Sequence, residues 1–578
     1  MKQASAAMRR AIPAGVVFSL LAASTAPRVQ QTSFPALVVS LIDARDAWLG
    51  HLSRDEQSDL QALYASVEAP VWLDSAGVPT SNMRDALAVL NHASDEGLDP
   101  ADYHPDLLAG LTPRTGAPVP DARARARLDV ALSASVLRYL RDVHLGRVDP
   151  RTVGFRLDAP SEPHDVPSLL RAALAGRRVA HLVDDLRPRL AQYRLLRAML
   201  PRYRFLAADP VLAGSASLAE AIHPGDESDV VGVLRQILIA LGDLPATAPA
   251  AARYEGPLVD AVERFQRRHG LDVDGIVGKR TMAALRVPAA SRARQIELAL
   301  ERLRWLPDLR DDRLIALNIP LFRLWAWERV ASAGQPPIAM NVIVGRALRN
   351  QTPIFDEEMR EVVFRPYWNV PRSILVNEVL PAIQRNPAYL RRENMEIVRG
   401  PGDDARPVPL SAEAIEGLRR GTLRVRQRPS PNNALGLVKF VFPNRETVYM
   451  HGTPTQTLFA RSRRDFSHGC VRLEDPVALA EWVLRDQSEW TREAILTAMH
   501  GTRTLYVPLS RPIQVILFYT TAVVMPEDGT IHFLEDIYRH DVRLGRALDG
   551  LRQARQRGIF RPAGKNSRPP FSHRRNQA

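Results

Sequence analysis

The chain has 578 residues and a single cysteine, Cys470, so no internal disulfide can brace it. A chain of that length exceeds what one hydrophobic core can organise, and two to four separately cored domains are expected. The start of the sequence makes the missing disulfides more telling. Lys2, Arg9 and Arg10 precede a small apolar run from Ala11 to Ala26, and Ser24-Thr25-Ala26 forms a small-x-small site just before Pro27. This pattern predicts an exported chain with a signal peptide over residues 1–26; an uncleaved leader acting as a membrane anchor is the alternative. In an oxidising compartment an odd cysteine is a candidate reactive thiol.

Charge sharpens the picture less than its total suggests. Lys and Arg number 77 against 64 Asp and Glu, a net +13, yet residues 539–578 alone hold eleven Lys/Arg and two Asp/Glu. The excess therefore reads as a basic C-terminal tail, disordered over 559–578, and not as a basic groove. No phosphate-binding glycine loop is present, and a nucleic-acid partner is not expected.

Organisation follows from periodicity. Leu37–Trp48, Met83–Asn91, Arg125–Val143, Pro167–Leu174 and Leu186–Met199 carry apolar residues at three- and four-residue spacing, which predicts a helical domain over 36–220. Residues 222–288 form a second unit with helices Val230–Leu241, Leu258–His269 and Thr281–Leu285. Gly270 and Gly275 serve its turns, and Arg267 and Arg268 are expected to face outward. After a linking helix, Ala290–Arg304, the pattern turns to strands. Leu314–Trp327 is broken at Pro320, Ala331–Pro337 is a turn, Ile338–Val344 returns, and Met359–Phe364 follows. Residues 366–433 interrupt this with a helix, Ile374–Ile383, and an irregular Arg-, Pro- and Gly-rich stretch. Leu437–Met450 reads as one strand. Asp475-Pro476 opens a helix to Arg485, another spans Thr491–Met499, and 511–540 reads as a closing hairpin turning at Asp528-Gly529.

The chemistry concentrates between His451 and Leu473. A free thiol titrates near about 8.5 and attacks carbonyl carbon as thiolate, so it needs a base or a positive surrounding. His468 stands two residues before Cys470, whereas His451 can fold back onto the sulfur across a loop. A buried, inert cysteine and a zinc site from His451, His468 and Cys470 are the competing readings.

His451, fifteen intervening residues, then Ser467-His468-Gly469-Cys470 and Arg472 resembles the active-site motif of L,D-transpeptidases with a YkuD-type catalytic domain. Phe265-Gln266, Gly270-Leu271, Asp274-Gly275 and Gly278 resemble a small peptidoglycan-binding domain. Gly97 to His104, Tyr367 to Pro371 and Asn433 to Gly436 are similar to the scaffold and insertion of the YcbB-like branch. The resemblance implies an α+β multidomain chain: a helical scaffold, a three-helix peptidoglycan-binding domain and a mostly β catalytic domain over 312–510, with a lid insertion at about 366–433. It implies Cys470 as nucleophile and His451 as general base. His468, Gly469 and Ser467 would support the oxyanion turn, with Ser467 able to hold an imidazole. Arg472, Tyr449, Trp368 and Asn369 would bind substrate, Arg472 having an ion pair with Glu474 as its alternative. The implied reaction joins peptidoglycan tetrapeptide stems 3→3 in the periplasm with loss of D-Ala, without metal or cofactor. Carbapenems are expected to acylate Cys470, and other wall-synthesis enzymes are candidate partners. An L,D-carboxypeptidase or other thiol hydrolase, and a non-catalytic wall-binding protein, are the rival readings. Gly452 departs from the branch, where Asp often follows the base.

Overall fold

A computed structural model of the chain describes residues 33–43, 52–113, 117–157, 165–249, 252–306, 309, 312–329 and 338–557. The expected signal peptide at 1–26, the turn at 331–337 and the tail at 559–578 lie outside the described residues. Among those described, no helix is long and apolar enough to cross a membrane.

The N-terminal region is helical because one long helix, Ala122–Leu145, is buried around most of its girth and the others wrap it. Its buried Asp129 accepts from the Tyr64 hydroxyl (2.6 Å) and the Trp72 amide (3.0 Å), and Ser133 Oγ accepts from the Trp72 indole (2.9 Å). These buried polar groups thus partner one another, as a low-dielectric core demands. Ser53 and Glu56 close a reciprocal capping box on helix Arg54–Tyr64. The predicted helix Leu186–Met199 is instead two, Val179–Leu186 and Ala191–Leu206. Pro188 drives the preceding Arg187 to extended geometry (ψ 146°), which ends the first helix.

Residues 230–285 form the three-helix unit: Val230–Leu241, Pro257–Arg268 and Lys279–Leu285 around Val262, Phe265 and Val277. Gly270 and Gly275 do adopt positive φ, 62° and 68°. Arg268 does not face outward; it is buried, and its Nε donates to Asp243 at 2.6 Å. Arg267, one residue earlier on the helix, is exposed.

The helix Ala289–Leu303 leads into a nine-stranded sheet. Its strands are β1 (Leu314–Asn318), β2 (Arg323–Trp327), β3 (Ile338–Gly345), β4 (Phe355–Phe364) and, after the insertion, β9 (Val438–Val441), β10 (Met450–His451), β11 (Asp465–Ser467), β12 (Val471–Leu473) and β13 (Leu505–Phe518). The order is β11-β3-β12-β10-β9-β4-β13-β1-β2, and β2 also pairs β3, so the sheet closes on itself. The expected single strand Leu437–Met450 is two antiparallel strands. Pro443 lacks an amide for the ladder, and Asn444 brackets the turn by donating to the carbonyls of Phe442 and Val448, both at 2.6 Å.

Three further expectations are corrected. The insertion is no irregular stretch: β5 (Trp368–Asn369), β6 (Met395–Arg399), β7 (Arg406–Val408) and β8 (Arg424–Gln427) form a sheet ordered β5-β8-β6-β7. It packs with helix Ala412–Arg420 around Ile397, Leu418 and Val425. Residues 511–540 are not one closing hairpin. β13 is a central strand, parallel to β1, and only β14 (Ala522–Val524) and β15 (Ile531–Phe533) make the hairpin. The basic segment begins as a docked helix, His540–Arg557, not as a tail.

That helix ties the domains together. Asp536 accepts from the amides of Asp541 and Val542 at its start; Asp541 meets Arg302 at 2.6 Å; Arg555 reaches Asp102 (3.0 Å) and Asp142 (3.2 Å) in the scaffold. Removing one member of a buried ion cluster leaves uncompensated charge. Arg555→Met should therefore cost about 3 kcal/mol, read as a lower urea midpoint, with part recovered in the Arg555→Met/Asp102→Asn double variant. An unchanged midpoint in the single variant would mean that the helix is not held there.

Candidate active site

The site is built on a parallel strand pair. β10 lies between β9 and β12, with Met450 opposite Val471 and His451 opposite Arg472. Antiparallel β9 sets Lys439 opposite His451. The register places Cys470 one position before Val471, beside Tyr449. Side chains two apart on a strand share a face, so Tyr449 and His451 lie on one side of β10 next to Cys470 and Arg472.

The turn before β12 is closed by its own side chains. Ser467 Oγ donates to the Cys470 carbonyl at 2.5 Å and accepts from the Gly469 amide at 3.1 Å. Ser467 therefore shapes the turn and does not hold an imidazole. Gly469 has φ 117°, a conformation that side-chain-bearing residues avoid; a β-carbon there would meet the Gln351 and Asn350 carbonyls only at ordinary contact distances of 3.8 and 3.9 Å, so the backbone and not crowding requires glycine. Thr352 Oγ1 donates to the Gly469 carbonyl and accepts from the Gly345 amide, both at 2.8 Å. Tyr538 in turn donates to the Gly345 carbonyl at 2.5 Å.

His451 is 4% exposed, and its Nδ1–H donates to the Gly452 carbonyl at 2.5 Å. This fixes the tautomer and leaves Nε2 as the proton acceptor. Burial, then the charge of Arg472, hold its pKa down at about 3, so the ring is neutral at ordinary pH. The backbone just beyond His451 is pressed against Gly436: a β-carbon there would stand 2.7 Å from the backbone of Gly452 and Thr453.

Cys470 is half-buried, and burial pushes its thiol above the ordinary value. The Tyr449 amide and hydroxyl, then Lys439 and Arg472, pull the other way. The Lys439 ammonium sits 4.1 Å from the centre of the Tyr449 ring, whose own pKa is raised by burial and by the sulfur's charge. The resting pair is thus neutral thiol and neutral imidazole, ringed by cations that favour thiolate over imidazolium.

The other predicted residues divide. Arg472 has no ion pair with Glu474, whose carboxylate accepts instead from the amide and side chain of Asn341. The Arg472 Nε is buried without a hydrogen-bond partner. His468 donates Nε2–H to Glu378 at 2.7 Å. Glu378 belongs to a π-helical turn, Leu375–Val379, of the insertion, so this contact joins the insertion to the cysteine turn. Trp368 packs on the insertion's own core, and Asn369 accepts from Arg424 of neighbouring β8; their contacts lie within the insertion. Among the described residues no three His, Cys, Asp or Glu side chains are grouped to hold a metal ion.

Lys439, Glu378 and Thr352 are absent from the sequence-based candidates. Lys439 alone left a signal: the chain has four lysines among 77 Lys and Arg, and one sits between apolar residues in a strand beside the motif. Glu378 and Thr352 come to the site from distant segments, which no local pattern reveals.

Three family models match the chain: a scaffold domain over residues 58–200, a "Putative peptidoglycan binding domain" over 227–285 and the YkuD L,D-transpeptidase catalytic domain over 312–508. The architecture is accordingly α+β, with a helical N-terminal region, a peptidoglycan-binding domain and a mostly β YkuD catalytic domain. A Haemophilus influenzae protein named "Putative L,D-transpeptidase" is 32% identical over 253 residues, 44% of this chain and 49% of that one. The chain thus spans about half the length of that curated relative. A solved L,D-transpeptidase structure (residues 123–326) from Xylanimonas cellulosilytica is 17% identical, with a TM-score of 0.17, over 52% of this chain and 98% of the other.

The charge environment of Cys470 is directly testable. Iodoacetamide should alkylate it with a pH midpoint above the ordinary thiol value. Lys439→Met removes a cation that favours thiolate, so the midpoint should rise further. At pH 7.5 alkylation should slow about three- to tenfold, ten being one pKa unit. An equal or faster rate in Lys439→Met would contradict this assignment.

Proposed function

We propose that the protein is an exported, cysteine-dependent peptidoglycan L,D-transpeptidase acting in the periplasm. The observation that carries the reading is the β10–β12 pairing, which sets His451 beside the Cys470 turn within a segment similar to L,D-transpeptidase catalytic domains.

The donor is a tetrapeptide stem of peptidoglycan. Its third-residue carbonyl carbon approaches Sγ. The Cys470 proton passes to His451 Nε2 as the C–S bond forms, because neither partner is charged beforehand. Tyr449, Lys439 and Arg472 stabilise the sulfur's developing charge. With the Gly469 amide occupied by Ser467, the amides of His468 and Cys470 are the donors for the tetrahedral oxyanion, each worth about 3–4 kcal/mol where such donors have been removed. Collapse breaks the C–N bond. D-Ala leaves as an amine with the proton returned by His451, and a thioester remains on Cys470.

His451 then takes a proton from the acceptor amine, on the side chain of the third residue of a neighbouring stem. That nitrogen displaces the sulfur, which takes the proton from His451, and the 3→3 cross-link and free thiol result. The His468–Glu378 contact holds the insertion over the turn, where excluding water protects the thioester from hydrolysis. Arg472, a cation within the sulfur's field, binds the donor's terminal carboxylate.

Purified disaccharide-tetrapeptide incubated with the protein should give, by mass spectrometry, a dimer that has lost one D-Ala. Cys470→Ala should give none. Tripeptide without dimer would replace this reading with an L,D-carboxypeptidase, and carbapenem adducts on a residue other than Cys470 would contradict the nucleophile.

A further inference from the structure

A cleft of about 960 Å³ lies apart from the cysteine turn. One wall is the three-helix unit, from Arg267 to Asp274; another is the β14–β15 hairpin; the third is the loop 460–464, which runs directly into β11 and the cysteine turn. The first two walls are packed together. His269 stacks on Phe533 with ring centres 6.1 Å apart, and Arg292 of the linking helix covers the same Phe533 ring at 5.1 Å.

The cleft's charges do not cancel. Each carboxylate lining it is engaged: Asp272 by Arg280, Glu527 by Arg323 and Glu535 by Arg463, while Asp274 accepts from Gln266 and Ile276 and Asp528 accepts from Thr530. Four arginines remain with no carboxylate at ion-pair distance: Arg267, Arg292, Arg461 and Arg464. Two of these are spent on structure. Arg464 donates to the carbonyls of Val342, Phe322 and Arg461 and to Asn341, and Arg292 donates to Gln295 and the Ala284 carbonyl. Burial first, then for Arg292 nearby Arg268, holds both guanidinium pKa values down to about 10; for Arg464 the Glu474 carboxylate pulls the other way and Arg323 lowers it further, and both arginines remain charged. The other two are exposed. Among the described residues the Arg267 guanidinium makes no hydrogen bond or ion pair, and Arg461 offers its guanidinium only to the Phe466 ring, at 5.8 Å. They stand on opposite walls, one on the three-helix unit and one on the loop leading to Cys470.

Planar guanidinium forks with free donors match carboxylates, which they bind through paired hydrogen bonds. We infer that this cleft is a second binding site, for the carboxylate-bearing peptides of a peptidoglycan strand, gripped between Arg267 and Arg461. The inference rests on the proposed wall substrate and adds where a strand is held outside the catalytic turn. A strand anchored there reaches the cysteine turn along the loop that carries Arg461, so the second site feeds the first.

The test uses full-length Cys470→Ala protein, in which binding is measured without turnover. Its retention on purified insoluble peptidoglycan is compared with that of the same protein carrying R267S and R461S, and with retention on peptidoglycan whose carboxylates have been amidated. Both substituted side chains are exposed, and an unchanged urea midpoint checks the fold. The double substitution should weaken retention at least tenfold. Amidation should weaken retention of the parent equally and add nothing to the loss in the double variant. Equal retention of the two proteins, or insensitivity to amidation, would overturn the site, as would a loss confined to binding of a single-stranded oligonucleotide. Turnover of soluble donor by the unaltered protein, run in parallel, separates the two claims. Turnover with arginine-independent retention removes the cleft alone, and arginine-dependent retention without turnover removes the catalytic reading alone.

Discussion

The parallel pairing of β10 with β12 is the constraint on which the site depends. Parallel neighbours cannot be joined by a tight turn; the chain must leave the sheet and come back. Here the return path runs from Gly452 through Arg464, adds β11 at the edge beside β3, and only then enters the Ser467–Cys470 turn. The crossover allows two residues nineteen positions apart to meet on neighbouring strands. It also explains why glycine recurs around it. Gly436 lies against the backbone that leaves His451, and Gly469 takes the positive φ that redirects the chain into β12.

Electrostatics then decide what form the pair takes. A buried imidazole beside Arg472 and opposite Lys439 resists protonation, and a half-buried thiol resists ionisation. Neither is pre-charged, so in the proposed reaction the proton would move as the sulfur attacks. The same cations that disfavour imidazolium stabilise the sulfur anion, and Tyr449 adds two hydrogen bonds to it. A thiol kept protonated in this way is less prone to oxidation than a thiolate.

What the sequence revealed and what it hid differ in range. The helix opened by Asp475-Pro476 was legible because its cap is local: Asp475 accepts from the Ala478 amide as that spacing implies. The helices of the three-helix unit were legible from periodicity and their glycine stops. The insertion's core was not, because its strands are only two to five residues long and pair at a distance, Trp368 with Gln427 and Met395 with Gln427, so no alternation is sustained. His540–Arg557 read as a charge run because its arginines find their carboxylates in the scaffold, more than four hundred positions away. Arg268 read as exposed for the same reason: Asp243, which makes its burial tolerable, precedes it by 25 positions. At the site, His451 and Cys470 were marked by a motif, whereas Lys439 and Glu378 act only through contacts the fold creates.

If Cys470 attacks with His451 as its proton acceptor, as proposed, the acyl-enzyme can be trapped. Protein mixed with disaccharide-tetrapeptide, quenched in acid within seconds and weighed intact, should carry the mass of the donor less D-Ala as a thioester on Cys470. His451→Gln, at equal folding stability, should accumulate that adduct at least a hundredfold more slowly, the lower range for loss of a general base. Acylation of His451→Gln at the unaltered rate would contradict the account, because the strand pairing that sets the imidazole beside the sulfur would then have no chemical consequence.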